Sequence, residues 1–272
     1  MSTLPLFDLK GQVAIVTGGT GKLGPVWIDA LVGAGAAVAV LDLPTAKPSE
    51  GYRVLVEQHG ESRLRRFDCD ITSRESIVEA RDQVLQTLGH PDVLVNNAGI
   101  DQPPDSGGNR ALVQDLDIEV VRRMVEVNLL GTFQVTQVVG AIMLERGKGS
   151  IINIGSLYAS VSPDQRFYDH FPGQPPFLKT PAYGASKAGV ANITKYFATL
   201  WGPRGVRVNT LSPGGVLGGQ DEPFKKKYSE RVPLGRLANS EDLKGPLVFL
   251  ASRASAYVTG AELRVDGGFT AW

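Results

Sequence analysis

The sequence predicts a single α/β domain, residues 1–272, built on a doubly wound parallel sheet. Three observations carry that expectation. Short β-branched apolar runs alternate with longer amphipathic ones along the chain. Several of the short runs are apolar throughout, as strands covered by helices on both faces must be. No composition shift or linker divides the 272 residues, a length that one large α/β domain can fill.

Taken in order, the first strand is read at Val13–Thr17 (VAIVT) and passes through "TGGTGKLG" into a helix at Gly24–Val32. A second strand at Ala37–Leu41 is followed by a helix at Ser49–His59, and a third at Arg63–Phe67 by a helix at Arg74–Leu88. The short run Val93–Asn96 is the fourth strand; a long helix at Asp117–Glu145 leads to the fifth at Ser150–Ile154. A helix at Ala185–Leu200, the sixth strand at Val206–Leu211, a helix at Glu241–Ser252 and a last strand at Glu262–Val265 complete the alternation. Asp101–Gln114, Ser160–Ala182 and Pro213–Pro233 read as irregular. Irregular segments of that length in a compact domain are usually functional, and in an open α/β sheet the ligand lies beyond the carboxyl ends of the strands. The last two follow the fifth and sixth strands, so they are expected at that edge, as substrate loops at about 157–182 and 213–233.

Composition narrows the function. Lys+Arg and Asp+Glu both number 28, for a formal charge of zero, so nothing calls for nucleic acid or an anionic membrane as partner. The one cysteine, Cys69, has no intramolecular partner and fits a reducing compartment. Met1–Lys10 lacks a basic segment followed by an apolar run, and no stretch reads as the roughly 18 apolar residues of a bilayer span. A cytoplasmic protein is expected.

The motifs sit where a dinucleotide site needs them. Gly18, Gly21 and Gly24 let the backbone turn sharply after the first strand and approach a pyrophosphate, which the helix N-terminus stabilises. Asp42 closes the second strand about 20 residues on, where a carboxylate accepts from the adenosine ribose hydroxyls and repels a 2′-phosphate. That favours NAD over NADP. Lys22, a cation in the turn, pulls the other way. "NNAG", Asn96 to Gly99, ends the fourth strand with residues small enough for a ribose to lie against the backbone. Ser156 follows the fifth strand, Tyr183 and Lys187 lie four apart on one helical face, and Asn128 occupies a helix interior for which its propensity is poor.

These residues resemble the classical short-chain dehydrogenase/reductase family over essentially the whole chain. The matching motifs are "TGGTGKLG", "CDI" (Cys69–Ile71), "NNAG", Asn128, Ser156, "YGASK", "LSPGGV" (Leu211–Val216) and "VDGG" (Val265–Gly268). The resemblance implies a Rossmann-type sheet of seven strands and an NAD(P)-dependent alcohol–ketone interconversion. It implies a catalytic tetrad of Asn128, Ser156, Tyr183 and Lys187, with Asn128 holding a water in the proton relay. It assigns cofactor contacts to the turn (Gly18, Gly21, Lys22, Leu23, Gly24), to Asp42, to Asp70 and Ile71 at the adenine, and to Asn97, Ala98 and Gly99 along the ribose. Tyr183, Lys187, Pro213, Gly214 and Val216 are assigned at the nicotinamide end. The family commonly forms homotetramers, sometimes homodimers, through its two longest helices and last strand. Both helices carry apolar residues on more than one face here, for example Val135, Val138 and Val139. Three departures stand out: Lys22 replaces the usual middle glycine, Gly218 stands where a threonine is frequent, and the Ser156–Tyr183 spacing is about twice the usual one. Free tyrosine has a pKa of about 10. For Tyr183 to act as base near neutrality, Lys187 has to supply about 3–4 kcal/mol of differential stabilisation to the phenolate.

The extra residues between Leu157 and Ala182 read as a wall or lid over the substrate. Their polar side chains suit a polyhydroxylated molecule, neutral or anionic, such as a sugar, sugar acid or polyol. Arg166 is the expected carboxylate partner, with His170 as a second contact. Other readings are a 3-oxoacyl carrier-protein reductase, which Asp42 and the zero charge oppose; a sugar epimerase or dehydratase, suggested by Gly21; and a non-catalytic NAD-binding scaffold, which would not need both Tyr183 and Lys187. No metal site is expected.

Overall fold

In chain order the strands are β1 (Val13–Thr17), β2 (Ala37–Asp42), β3 (Leu64–Asp68), β4 (Val93–Asn96), β5 (Gly149–Ile154), β6 (Val206–Pro213) and β7 (Glu262–Val265). The helices are α1 (Gly24–Gly33), α2 (Glu50–His59), α3 (Arg74–Thr87), α4 (Ile118–Val125), α5 (Thr132–Arg146), α6 (Pro181–Trp201), α7 (Glu222–Arg231) and α8 (Ser240–Ala251). This computed structural model describes residues 4–102, 112–173 and 177–272. All seven strands are parallel, in the order β3-β2-β1-β4-β5-β6-β7. The order reverses between β1 and β4, so the crevice opens beyond their carboxyl ends.

The apolar runs explain the layers. β1, β4 and β5 are buried at every position. Alternate side chains therefore feed two cores. One, with Trp27, Ile28, Leu31, Leu243 and Leu247, lies under α1 and α8. The other, with Ile77, Val135, Val139, Met143 and Phe197, lies under α3, α5 and α6. A third, smaller cluster sits outside the sheet: Phe167, Tyr168 and Phe177 of the inserted segment pack with Tyr228 of α7, Val232, Leu237 and Phe269.

Most expected elements occur within one or two residues of their predicted limits; four differences have physical causes. The expected helix Asp117–Glu145 is not one α-helix: α4 and α5 are joined by a π-helical segment, Glu126–Gly131, in which Asn128 is fully buried. A π-segment inside an α-helix is a frequent mark of a functional site. Helix α6 begins four residues earlier than predicted, because Thr180 accepts from Ala182 N and Pro181 fills the first turn. Helix α7 lies inside Pro213–Pro233, which reads as irregular; Asp221 caps it by accepting from Phe224 N. Val135, Val138 and Val139 are buried in the second core and leave nothing for a partner.

The stretch Ile118–Arg146 is also more apolar than expected, with mean hydropathy 1.5 over its most apolar window. It would pass as a bilayer span by length and composition, but 61% of that window is covered by the rest of the domain. Of the segment Asp101–Gln114, residues 103–111 lie outside the described residues.

Candidate active site

The glycine turn is as tight as its sequence demands. A Cβ on Gly18, whose φ is +62°, would stand 2.7 Å from Ala98 Cα; one on Gly24 would stand 2.2 Å from Gly19 O. Gly24 thus lets α1 start against the turn, which the larger side chains cannot do. On Gly21 a Cβ would meet only Gly18 O, at 3.4 Å. A crevice of about 660 Å³ begins here and runs along the strand ends to Tyr183. This backbone cradle, together with the Asp42 carboxylate at the end of β2, fits a dinucleotide.

Gly18, Gly21, Lys22, Leu23, Asp42, Asp70, Ile71, Asn97, Ala98, Gly99, Ser156, Tyr183, Lys187, Pro213, Gly214 and Val216 all line this one crevice. Gly24 and Asn128 do not; each supports it from behind. Asp42 Oδ2 accepts from Thr20 N at 2.9 Å and Thr20 Oγ1 at 2.6 Å, so the turn and β2 are tied together. Asp70 Oδ1 accepts from Thr72 N and Thr72 Oγ1, which together hold its carboxyl below the usual range. Asn97 is a staple: its Nδ2 donates to Thr17 O and Gly18 O, and its Oδ1 accepts from Trp27 Nε1.

The tetrad residues meet at the other end. Ser156 leaves β5 in an extended conformation and its Oγ accepts from Tyr158 N. Tyr183 and Lys187 stand on the first turns of α6. Gly184 permits that approach, since a Cβ there would be 2.9 Å from Tyr158 O. Lys187 Nζ donates to Ile154 O at 2.8 Å and lies 5.8 Å from the centre of the Tyr183 ring. Asn128 grips the loop after β4: Oδ1 accepts from Ile100 N, and Nδ2 donates to Ile100 O and Ser186 Oγ. Both polar atoms of its side chain are engaged with protein groups, so the side chain holds the loop after β4 in place.

Burial dominates the electrostatics of the Tyr183–Lys187 pair. Burial raises Tyr183 well above the ordinary phenol range, and the Asp101 carboxylate adds to the rise; a hydrogen bond with Ser156 opposes it. Burial also brings Lys187 down to about 8. Desolvation is the largest influence on the phenol, ahead of the Asp101 charge and the Ser156 hydrogen bond.

Neither Arg166 nor His170 reaches the crevice. The Arg166 side chain is 83% exposed and its guanidinium folds back onto Asp164. His170 Nε2 faces both oxygens of Asp221, at 3.1 and 2.9 Å, and so ties the inserted segment to α7; Lys227 does the same to Asp169. The insertion's apolar residues went to the third core, and its charges were left to fasten that core's rim.

What the insertion does deliver is Lys179. Its side chain is 6% exposed, ion-paired with Asp101, and its Nζ lies 5.4 Å from the centre of the Tyr183 ring. Asp101 itself lines the crevice, as do Thr20, Lys47 and Arg123. None of these was legible in advance: a lone lysine in "FLKTP" and an aspartate after "NNAGI" carry no local pattern.

Comparison with known proteins agrees with this geometry. A family model described as enoyl-(acyl carrier protein) reductase matches residues 27–270. D-threitol dehydrogenase of Mycolicibacterium smegmatis is 37% identical over 97% of this chain and 95% of its own. The 2-dehydro-3-deoxy-D-gluconate 5-dehydrogenase of Bacillus subtilis is 38% identical over 97% and 96%. A gluconate 5-dehydrogenase from Burkholderia cenocepacia, solved in complex with NADP and tartrate, superposes with a TM-score of 0.84 at 29% identity over the full length of both chains.

Proposed function

Because the chain belongs to the short-chain dehydrogenase/reductase family, we propose that it is an NAD(H)-dependent oxidoreductase interconverting a secondary alcohol and a ketone on a small carbohydrate-like molecule. The observation that carries this reading is one crevice holding both a dinucleotide cradle and the Ser156–Tyr183–Lys187 group. Relatives named for threitol and a deoxygluconate support a polyhydroxylated substrate.

A bound nicotinamide supplies the hydride acceptor in oxidation and the donor in reduction. The chain does the rest. Ser156 Oγ donates to the substrate oxygen and fixes it beside Tyr183 Oη. As the alcohol is oxidised its hydroxyl proton passes to Tyr183 Oη; in reduction the proton returns. Tyr183 is raised by burial, so its ionised form needs a compensating charge at hand, and the Lys187 ammonium is placed to provide it. Asn128 keeps Ile100, and with it the wall of the crevice, in register.

Asp42 supports NAD, since its carboxylate stands at the end of β2 where a 2′-phosphate would be repelled. Lys22 and Lys47, which line the same end, are the residues that an NADP preference would use. We place the enzyme in the cytoplasm, since its one cysteine, Cys69, is buried as a free thiol, as suits a reducing compartment.

The test is to titrate NAD⁺ and NADP⁺ and then screen polyols, sugars and sugar acids by the absorbance of the reduced cofactor. Tyr183→Phe is expected to keep cofactor binding and lose about 10²–10⁴ in turnover, because only the proton-transfer group is removed. Near-normal turnover in that variant would overturn the assignment.

A further inference from the structure

At the catalytic end of the crevice one acidic side chain, Asp101, faces the space beside Tyr183, and it does so from a braced position. Lys179 Nζ donates to Asp101 Oδ2, and Gln102 N donates to Oδ1 at 2.8 Å. Lys179 is itself fixed at the backbone. Gln165 Oε1 accepts from Lys179 N at 2.9 Å, and Gln165 Nε2 donates to Lys179 O at 3.2 Å. An ionised carboxylate has about four acceptor positions, and these contacts use two. Each oxygen of Asp101 keeps capacity for a further donor.

The cations are elsewhere. Among the described residues, those lining the crevice are Lys22, Lys47, Arg123 and Lys187. Lys22 lies in the glycine turn and Lys47 follows β2; Arg123 stands near enough to Asp70 to lower its carboxyl; Lys187 is committed to Ile154 O beneath Tyr183. Lys179 is buried behind Asp101 and does not line the space. Of the described cations at this end, Lys179 is paired with Asp101, and Lys187 lies beneath Tyr183, where its charge serves the phenol.

We infer that Asp101, held in place by Lys179, is the specificity-determining residue through which the site accepts a neutral polyhydroxylated substrate and rejects a sugar acid. Substrate hydroxyls donate to its free lone pairs, whereas a carboxylate in the same place has no proton to donate to them and meets a cation, Lys179, already taken up by Asp101. The inserted segment then has a definite purpose: it carries the lysine that sets the aspartate. The inference rests on the carbohydrate reading above and sharpens it from "sugar, sugar acid or polyol" to the uncharged members.

The experiment measures kcat/KM for polyol and aldonate pairs that differ only at the terminal carbon, such as sorbitol with gluconate and threitol with threonate. Wild type, Asp101→Asn and Asp101→Glu are compared, with cofactor affinity and thermal midpoint recorded for each. The wild type should prefer the polyol, Asp101→Asn should shrink that preference by about ten- to a hundredfold, and Asp101→Glu should retain most of it. If Asp101→Asn loses its fold, Lys179→Arg replaces it, with the polyol preference expected to survive. A wild-type preference for the aldonate, an unchanged ratio in Asp101→Asn, or loss of the preference in a well-folded Lys179→Arg overturns the inference while leaving the carbohydrate reading intact. Turnover of neither series by an enzyme that still binds cofactor overturns the carbohydrate reading, and the inference with it.

Discussion

Asn128 holds Ile100 by both of its peptide groups: Oδ1 accepts from Ile100 N at 2.8 Å and Nδ2 donates to Ile100 O at 2.9 Å. The side chain stands in the π-segment Glu126–Gly131, which packs so closely on Ile71 that a Cβ on Gly131 would lie 2.7 Å from Ile71 Cδ1. Asn128→Ala leaves a buried donor and acceptor without partners. We expect a loss of about 1–3 kcal/mol in stability, read from the denaturant midpoint, and a fall in kcat as the Ile100 wall loosens. An unchanged midpoint would show that water replaces the side chain at no cost.

Asp42 is expected to set the cofactor. Asp42→Ala should relax discrimination against NADP by about 1–3 kcal/mol, the scale of a lost charge-assisted hydrogen bond and a relieved repulsion. The same change frees Thr20 N and Thr20 Oγ1, so affinity for both cofactors should also fall. Comparing dissociation constants for NAD⁺ and NADP⁺ separates the two effects. A wild-type preference for NADP⁺ would transfer the decision to Lys22 and Lys47.

Lys187 should leave a mark on stability against pH. Its folded pKa is down to about 8, against about 10.4 in an unfolded chain. Between those values the unfolded chain binds the proton and the folded one does not, so this residue makes stability rise with pH, by up to about 1.4 kcal/mol per pH unit. Cys69, raised by burial, contributes the opposite slope above its ordinary value of about 8.5, and Tyr183 joins it above about 10. The clean measurement is therefore the difference between wild type and Lys187→Met, followed by urea midpoints from pH 7 to 10. The variant should lack the rising component; identical curves would show that Lys187 stays protonated throughout.

The inserted segment is expected to matter through its apolar residues and Lys179, not through its exposed charges. Arg166→Ala should change kcat/KM by less than about twofold, since an exposed pair such as Arg166–Asp164 is screened by water and contributes little. Phe167→Ala should cost about 3–5 kcal/mol, because Phe167 packs against Phe224, Tyr228 and Phe269. A large kinetic effect of Arg166→Ala would return it to the substrate site.

We propose a homotetramer, and the surface offers different residues for it than the valines expected at first. Tyr196 and Leu200 of α6 are 61% and 54% exposed, and β7 is the open edge of the sheet. Sedimentation at micromolar concentration should give the mass of four chains, and Tyr196→Lys with Leu200→Glu should lower it. A monomeric mass for the wild type would refute this assembly.

The sheet, its strand positions and the crevice residues that belong to the motifs were legible in the sequence because each has a local cause. Apolar runs fix strands, glycines fix the turn, and "YGASK" fixes two side chains on one helical face. Two helix starts were also written locally, at Thr180–Pro181 and at Asp221, although the apolar periodicity alone passes over them. Only the tertiary structure decided which polar groups face the substrate space. Asp101 and Lys179 are 78 residues apart; their pairing depends on the third core, which folds the insertion back against α7 and turns Arg166 and His170 away. The contacts of Gly131 with Ile71 and of Asn128 with Ile100 likewise join residues far apart in sequence. The balance of charge at Tyr183 could not be read from a Tyr–Lys spacing either, because desolvation is a property of everything packed around the ring.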